Sequence, residues 1–269
     1  MSECRFGFIG VGNMASAIIT SILKLDYIKP QLLFVFDPAT DKTSHLKSKG
    51  VNVCENAKDV VNFADFIFLC VKPQLFIDVA SEISQFVSTK KCIVSIMAGV
   101  KIETIKGAFN NNPHVIRIMP NTPLMLGEGA SGLCRCEKTT DTEFEIIFDI
   151  FSNCGKAIVV DEDDISTVTA LSGSGPAYFF KFARAMIDEG IELGLSYEDC
   201  LALVCQTMRG SAEMLEKSGK TADDLIKMVT SPNGTTHAAN VSFDANSFEP
   251  IVKEAVKACY DRAVELSEN

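Results

Sequence analysis

From Arg5 to about Val160, short runs that are apolar at nearly every position alternate with longer stretches of helical periodicity. Runs of that kind are what strands buried between two helix layers look like. The strand candidates are Arg5–Gly10, Leu32–Phe36, Val51–Val53, Phe66–Val71, Cys92–Ile96, Val115–Met119, Gly129–Cys134 and Lys156–Val160, with helices expected at Asn13–Leu25, Thr40–Lys49, Pro73–Phe86, Lys101–Phe109 and Thr142–Cys154. The alternation predicts an α/β domain, a parallel sheet with covering helices. After the acidic Asp161-Glu-Asp-Asp164 the β-runs stop and the rest of the chain reads as helix, so the boundary is expected between residues 1–161 and 162–269. Ser196-Tyr-Glu-Asp199 and Thr221-Ala-Asp-Asp224 have the form of capping boxes ahead of apolar periodic runs, and a last helix is expected from about Pro250 to Ser267.

Composition narrows the class. With 47% apolar and 22% charged residues, 17 Gly and 9 Pro in 269, the chain is an ordinary globular sequence with length for one large or two modest domains. A formal charge of −10 argues against nucleic-acid or anionic-membrane partners, and no basic patch overrides it. Anionic ligands would have to be held locally, by backbone N–H groups and helix N-termini. The ten Cys lie mostly inside apolar runs, where a thiol is a small hydrophobe, and Cys134-Arg-Cys136 has neither redox-pair nor zinc-knuckle spacing, so no metal is expected. No signal peptide and no long apolar stretch is recognised, which sets the expectation of a cytoplasmic protein.

Gly10-Val-Gly12-Asn-Met-Ala15 follows the first strand and opens the first helix, which is the context a GxGxxG/A dinucleotide fingerprint requires. Gly10 permits the tight turn, Gly12 lets backbone approach a pyrophosphate, and Ala15 allows helix to pack on strand. Asp37 ends the second strand, where an acidic side chain accepts hydrogen bonds from an adenosine ribose diol, a feature favouring NAD; the alternative is a turn former before Pro38. Thr40 and Lys42 nearby could offset its charge toward a 2′-phosphate. Val71-Lys72-Pro73, Met97-Ala-Gly99 and Met119-Pro-Asn-Thr-Pro123 end later strands on the same sheet edge, where ligands bind. Lys72 is either a solvated charge or a cofactor contact.

In the helical part, Leu171-Ser-Gly-Ser-Gly-Pro-Ala-Tyr178 lowers helix propensity without local recompense, which points to close approach of a ligand or of another helix. Ser231-Pro-Asn-Gly-Thr-Thr236 precedes a helical segment, so the N–H groups of Gly234, Thr235 and Thr236 can converge on an anion.

These segments, FIGVGNMA, VKPQ, MPNTP, TALSGSGPAY and SPNGTT, occur in an order and spacing that resembles the pyrroline-5-carboxylate reductase family over the whole chain. The resemblance implies a Rossmann-like doubly wound sheet followed by an all-α dimerisation domain interlocked with a second subunit, the active site at their junction, and a possible decamer of five dimers. It implies reduction of 1-pyrroline-5-carboxylate to L-proline with NADPH or NADH. Position by position, it implies that Gly10, Val11, Gly12, Asn13 and Met14 line the pyrophosphate and Asn56 the adenosine ribose. Val71, Lys72, Pro73, Ala98 and Gly99 are then walls near the nicotinamide. Thr169 is the hydroxyl beside the substrate nitrogen, Ser231, Gly234, Thr235 and Thr236 anchor the substrate carboxylate, and Glu162 is an acidic substrate-binding position near the junction. Two departures stand out: Asn233-Gly234 replaces the family's Gly-Gly, and Asp37 stands where members preferring NADPH carry Ser, Thr or Asn. His45, His114 and His237 are not expected to be catalytic. The rival readings are a β-hydroxyacid dehydrogenase, for which Lys181 would be the catalytic lysine, and a non-catalytic nucleotide-sensing module.

Overall fold

The computed structural model describes residues 4–24 and 28–268; Leu25, the last residue of the expected first helix, lies outside them. Eight strands form one sheet: β1 (Phe6–Ile9), β2 (Leu33–Phe36), β3 (Asn52–Val53), β4 (Phe66–Leu69), β5 (Cys92–Ser95), β6 (His114–Met119), β7 (Gly129–Arg135) and β8 (Gly155–Val159), in the order β3-β2-β1-β4-β5-β6-β7-β8. Every expected strand is present. All pairings are parallel except β6 with β7, which is antiparallel and departs from the expected all-parallel sheet. The physical reason is the connection, Pro120 to Glu128, which is too short for the crossover of about a dozen residues that parallel neighbours need.

Six helices cover the sheet: α1 (Asn13–Lys24), α2 (Asp41–Lys47), α3 (Ala57–Phe63), α4 (Phe76–Ile83), α5 (Ile102–Gly107) and α6 (Asp141–Asn153). Alternate residues of each strand enter different cores. Phe6, Phe8, Phe66 and Phe68 pack with Ile18, Ile22 and Ile147 of α1 and α6, while Ile67, Leu69 and Ile93 pack with Val60, Phe76 and Ile105 of α3, α4 and α5. The sheet is therefore wound on both faces. Gly7 marks how closely α3 lies, since a Cβ there would come 2.5 Å from Val60 Cγ1. Helix α3 has no counterpart among the expected elements; it is a single two-turn helix whose start is fixed by Asn56, which accepts from the Asp59 N–H at 2.9 Å.

Beyond β8 the chain is helical: α7 (Ile165–Val168), a π-helical turn (Thr169–Gly173), α8 (Gly175–Glu192), α9 (Tyr197–Lys217), α10 (Ala222–Val229), α11 (Thr235–Ala245) and α12 (Phe248–Glu268). The Ser196 hydroxyl caps α9 and Thr221 with Asp224 forms a complete capping box on α10, as the sequence predicts. The chain divides into two compact units, residues 1–176 with 259–269, and 177–258. No helix among the described residues is long and apolar enough to cross a membrane.

Candidate functional site

The strand order reverses between β1 and β4, and at such a switch point the carboxyl ends of two neighbouring strands diverge to leave a crevice. Gly10 leaves β1 with φ +90°, and a Cβ on it would come 2.8 Å from the Cys70 carbonyl oxygen beyond β4. Only glycine suits both demands. Gly12 is different: its φ is ordinary, and a Cβ there would meet nothing within 4 Å. Neither backbone nor packing among the described residues calls for glycine at 12. A pyrophosphate against this loop would need a small residue there and would meet the first-turn N–H groups of α1. Asn13 is exposed and Met14 half-buried at the helix start, and Ala15 is buried beneath them.

Asp37 is turned inward. Its side chain is 6% exposed, one oxygen accepts the Val11 N–H at 2.8 Å, the other accepts the Ala39 N–H at 2.9 Å, and Lys42 Nζ lies 3.3 Å away. Burial pushes the carboxyl up, but the two backbone N–H groups and Lys42 outweigh it and hold it below its ordinary value of 3.8. Asp37 is thus a brace of the glycine loop, with Lys42 compensating its charge. Val11, whose N–H is spent on this bond and whose side chain is 1% exposed, shapes the loop from beneath.

The other cofactor candidates fall into three situations. Asn56 is occupied as the cap of α3, its amide also donating to Asp59 at 2.9 Å. Val71, Lys72 and Pro73 follow β4 beside Gly10, with Lys72 exposed at the start of a 3-10 turn. Ala98 is exposed, and Gly99 takes φ +76° with a would-be Cβ 2.7 Å from the Leu266 carbonyl oxygen, so packing alone accounts for that glycine.

Glu162 begins a 3-10 turn after β8, and its Oε1 accepts the Ile102 N–H at 2.7 Å, which caps α5, and Arg117 Nη1 at 2.9 Å. The arrangement ties the start of the helical segment to β6. Arg117 is 4% exposed, and its Nε has no partner among the described residues. An arginine inside the apolar run His114-Val-Ile-Arg-Ile-Met119 was a visible signal that a buried charge needed a counter-ion.

Thr169 opens the π-helical turn. Its hydroxyl donates to the Ile165 carbonyl at 2.7 Å, and its own carbonyl accepts from the Ser174 N–H at 2.8 Å. With its proton committed, the Thr169 oxygen can act toward a ligand only as an acceptor. Single π turns inside helices are rare and often mark functional positions.

In the second unit, Ser231 to Thr236 form a turn entering α11. Asn233 takes the left-handed conformation, φ 58°, which is how the chain tolerates asparagine where the family carries glycine. Gly234 has no room for a Cβ against Ser231 Oγ, and its N–H donates to the Ser231 carbonyl at 3.0 Å. That N–H is therefore unavailable to an anion, contrary to expectation. Thr235, Thr236 and His237 occupy the first turn of α11, and no side chain caps their N–H groups. His45 and His237 are exposed, and His114 pairs with Glu143 at 2.7 Å. Lys181 is exposed on α8.

The thiols do not gather into a site. Burial pushes Cys54 up to about 11 and Cys134 up to about 12, so both stay protonated and inert.

A glycine loop at the switch point of a doubly wound sheet, followed by a helical segment interrupted by a π turn, defines a dinucleotide-dependent oxidoreductase with a helical second part. The family described as pyrroline-5-carboxylate reductase dimerisation matches residues 162–266, and the one described as NADP oxidoreductase, coenzyme F420-dependent, matches residues 5–99. The chain is 38% identical to pyrroline-5-carboxylate reductase of Pseudomonas aeruginosa, covering 100% of this chain and 98% of that one, and 34% identical to the enzyme of Escherichia coli, covering 99% and 100%. A crystal structure of the Plasmodium falciparum pyrroline carboxylate reductase with NADP bound superposes with a TM-score of 0.92 at 31% identity, covering 99% of each chain. The chain belongs to the pyrroline-5-carboxylate reductase family.

Proposed function

We propose that this chain reduces 1-pyrroline-5-carboxylate to L-proline, the last step of proline synthesis, using NADPH or NADH. Membership of the family supports the reaction, and the donor state of Thr169 carries the mechanism.

The electrophile is the protonated ring imine, and the bound reduced nicotinamide supplies the hydride that its carbon accepts. Gly10, Gly12, Asn13 and Met14 hold the cofactor's pyrophosphate at the start of α1, braced from beneath by Val11 and Asp37. Asn56 lies toward the adenosine, and Val71, Lys72, Pro73, Ala98 and Gly99 toward the nicotinamide. Because the Thr169 proton is held by Ile165, its oxygen accepts the N–H of the protonated imine. This hydrogen bond fixes the C=N axis and retains the proton on nitrogen, where it stays in the product amine. Ser231, Thr235 and Thr236 receive the substrate carboxylate at the start of α11, a local device that works against the −10 charge of the chain. Gly234 supports this turn through its bond to Ser231, and Glu162 supports the Thr169 segment through Arg117 and Ile102.

The neutral Asp37–Lys42 pair supports use of both cofactors, since the carboxylate is committed to backbone and a cation stands beside it. The functional division is taken at 161/162, where Glu162 begins the helical segment. The helical part joins a second copy as an interlocked dimer, five dimers forming a decamer, and the enzyme works in the cytoplasm. Extensive exposed apolar surface on α8 to α12 supports the dimer.

The protein incubated with pyrroline-5-carboxylate and NADPH, or NADH, should consume the nicotinamide absorbance and yield proline; consumption with neither cofactor overturns the reading. Thr169→Val should lower turnover by about 10- to 100-fold with unchanged cofactor affinity, the scale on which loss of an orienting contact costs rate. Unchanged turnover would remove Thr169 from its role.

A further inference from the structure

The π turn that begins at Thr169 needs an explanation of its own. The carbonyl of Ser172 lies inside it, and the residue four places on, whose N–H would satisfy that carbonyl in an α-helix, is Pro176. Proline has no N–H. The vacancy is filled from another part of the sheet unit: Asn121 Nδ2 donates to the Ser172 carbonyl at 3.0 Å, 51 residues away in sequence. The same side chain accepts the Ala130 N–H at 2.8 Å through Oδ1. Asn121 is 6% exposed and sits in the loop that leaves β6, between Pro120 and the 3-10 turn Thr122–Leu126. Next to it Met119 packs on the turn, its Cε 2.6 Å from where a Cβ on Gly173 would be. One buried amide therefore joins the start of β7 to the turn that carries Thr169, and both of its polar ends are used.

We propose that Asn121 is a positioning residue for the reaction: it replaces the donor that Pro176 lacks, holds the turn in its π form, and so sets the height and direction of the Thr169 hydroxyl. The inference rests on the reading that Thr169 meets the ring nitrogen. A donor on a rigid sheet-edge loop fixes that turn more closely than helix bonding alone, and catalysis is sensitive to small displacements of a positioned group. The arrangement also accounts for the pairing of two odd segments, Met119-Pro-Asn-Thr-Pro123 and Leu171-Ser-Gly-Ser-Gly-Pro176, neither of which reads as regular structure alone.

The test uses Asn121→Asp, which keeps the acceptor for Ala130 and replaces the donor facing Ser172 with an oxygen. In the full-length enzyme, kcat should fall about 10- to 100-fold, the scale of a misplaced catalytic group, while the dissociation constant for NADPH, read by fluorescence titration, stays within about two-fold. Adding Pro176→Ala restores an N–H opposite the Ser172 carbonyl and should recover several-fold of kcat; a residue needed only for folding would show no such rescue. If Asn121→Asp does not fold, Asn121→Ser, uncharged and too short to reach, is judged by the same fall and the same rescue. Turnover within about two-fold of the parent in a folded Asn121 variant, or a loss that Pro176→Ala leaves untouched, overturns the proposal. Thr169→Val is measured alongside. If it is silent, the reading of Thr169 falls and this inference with it; if it is impaired while Asn121 variants are not, only this inference falls.

Discussion

The two units of the chain solve the problem of burial in different ways. The sheet unit keeps Phe8, Phe68, Ile18, Ile67 and Leu69 at 0% exposure in two cores. Most of its strand side chains are covered by its own helices, while Ile158 and Val159 of β8 stay 49% and 63% exposed. In the helical unit the buried cluster among the described residues is Ile187, Cys200 and Val204, and α10 and α11 bury none of theirs, while Phe180 is 67% and Leu193 79% exposed. Such a surface is stable in water only when another surface covers it. The first unit buries two cores of its own; the helical part carries most of the exposed apolar surface, in keeping with the self-association that the dimerisation family matched over residues 162–266 indicates.

The contrast can be broken at several points, in descending order of effect. Phe180→Glu, on the exposed face of α8, should abolish self-association and leave a species of lower mass in sedimentation velocity, whereas a charge at an exposed site of the sheet unit such as Lys90→Glu should leave the mass unchanged. Retention of the assembly by Phe180→Glu would mean that α8 is not in the interface. Gly12→Ala meets no atom of the chain, so thermal stability should hold while NADPH affinity falls by about 10-fold or more, the reverse of what a packing glycine would do. A lower melting temperature with unchanged affinity would assign Gly12 to the fold.

A smaller effect concerns Asp37. Its carboxyl is held below 3.8, so the unfolded chain binds more protons in that range. The stability it contributes is complete above the unfolded value and is lost as pH falls through the folded one. Asp37→Asn keeps one acceptor where two N–H groups need one each, and should cost about 1–3 kcal/mol at pH 7 in denaturant unfolding, less as the pH drops below about 4. A cost that does not shrink in acid would mean that the charge is not what braces the loop. The smallest effect is expected for Cys134→Ala, which should leave turnover within about two-fold because that thiol is buried and protonated.

Much of the sheet unit was legible because its determinants are local. Apolar runs bounded by turns located all eight strands, and the glycine spacing fell at the turn between β1 and α1. Helix α3 was missed although α2 and α5, of 7 and 6 residues, are no longer than its 7 and were read. The antiparallel β7 follows from connection length, which the sequence displays but the strand pattern obscures. The contacts of Asp37, Glu162 and Asn121 were not legible. Each depends on partners far along the chain, Val11, Arg117 and Ser172, and no local pattern encodes a contact 26, 45 or 51 residues away.

Taken by itself, the sequence determined the class of fold, the glycine turn that opens the first helix, the helical second part and the family, because periodicity, turn chemistry and short motifs are written in neighbouring residues. Tertiary structure alone decided that Asp37 faces the glycine loop, that the Gly234 N–H is spent within its own turn, and that the Thr169 hydroxyl is left as an acceptor. The direction of a hydrogen bond depends on which donor and acceptor the completed fold brings within 3 Å of each other, and that is settled only when distant segments pack.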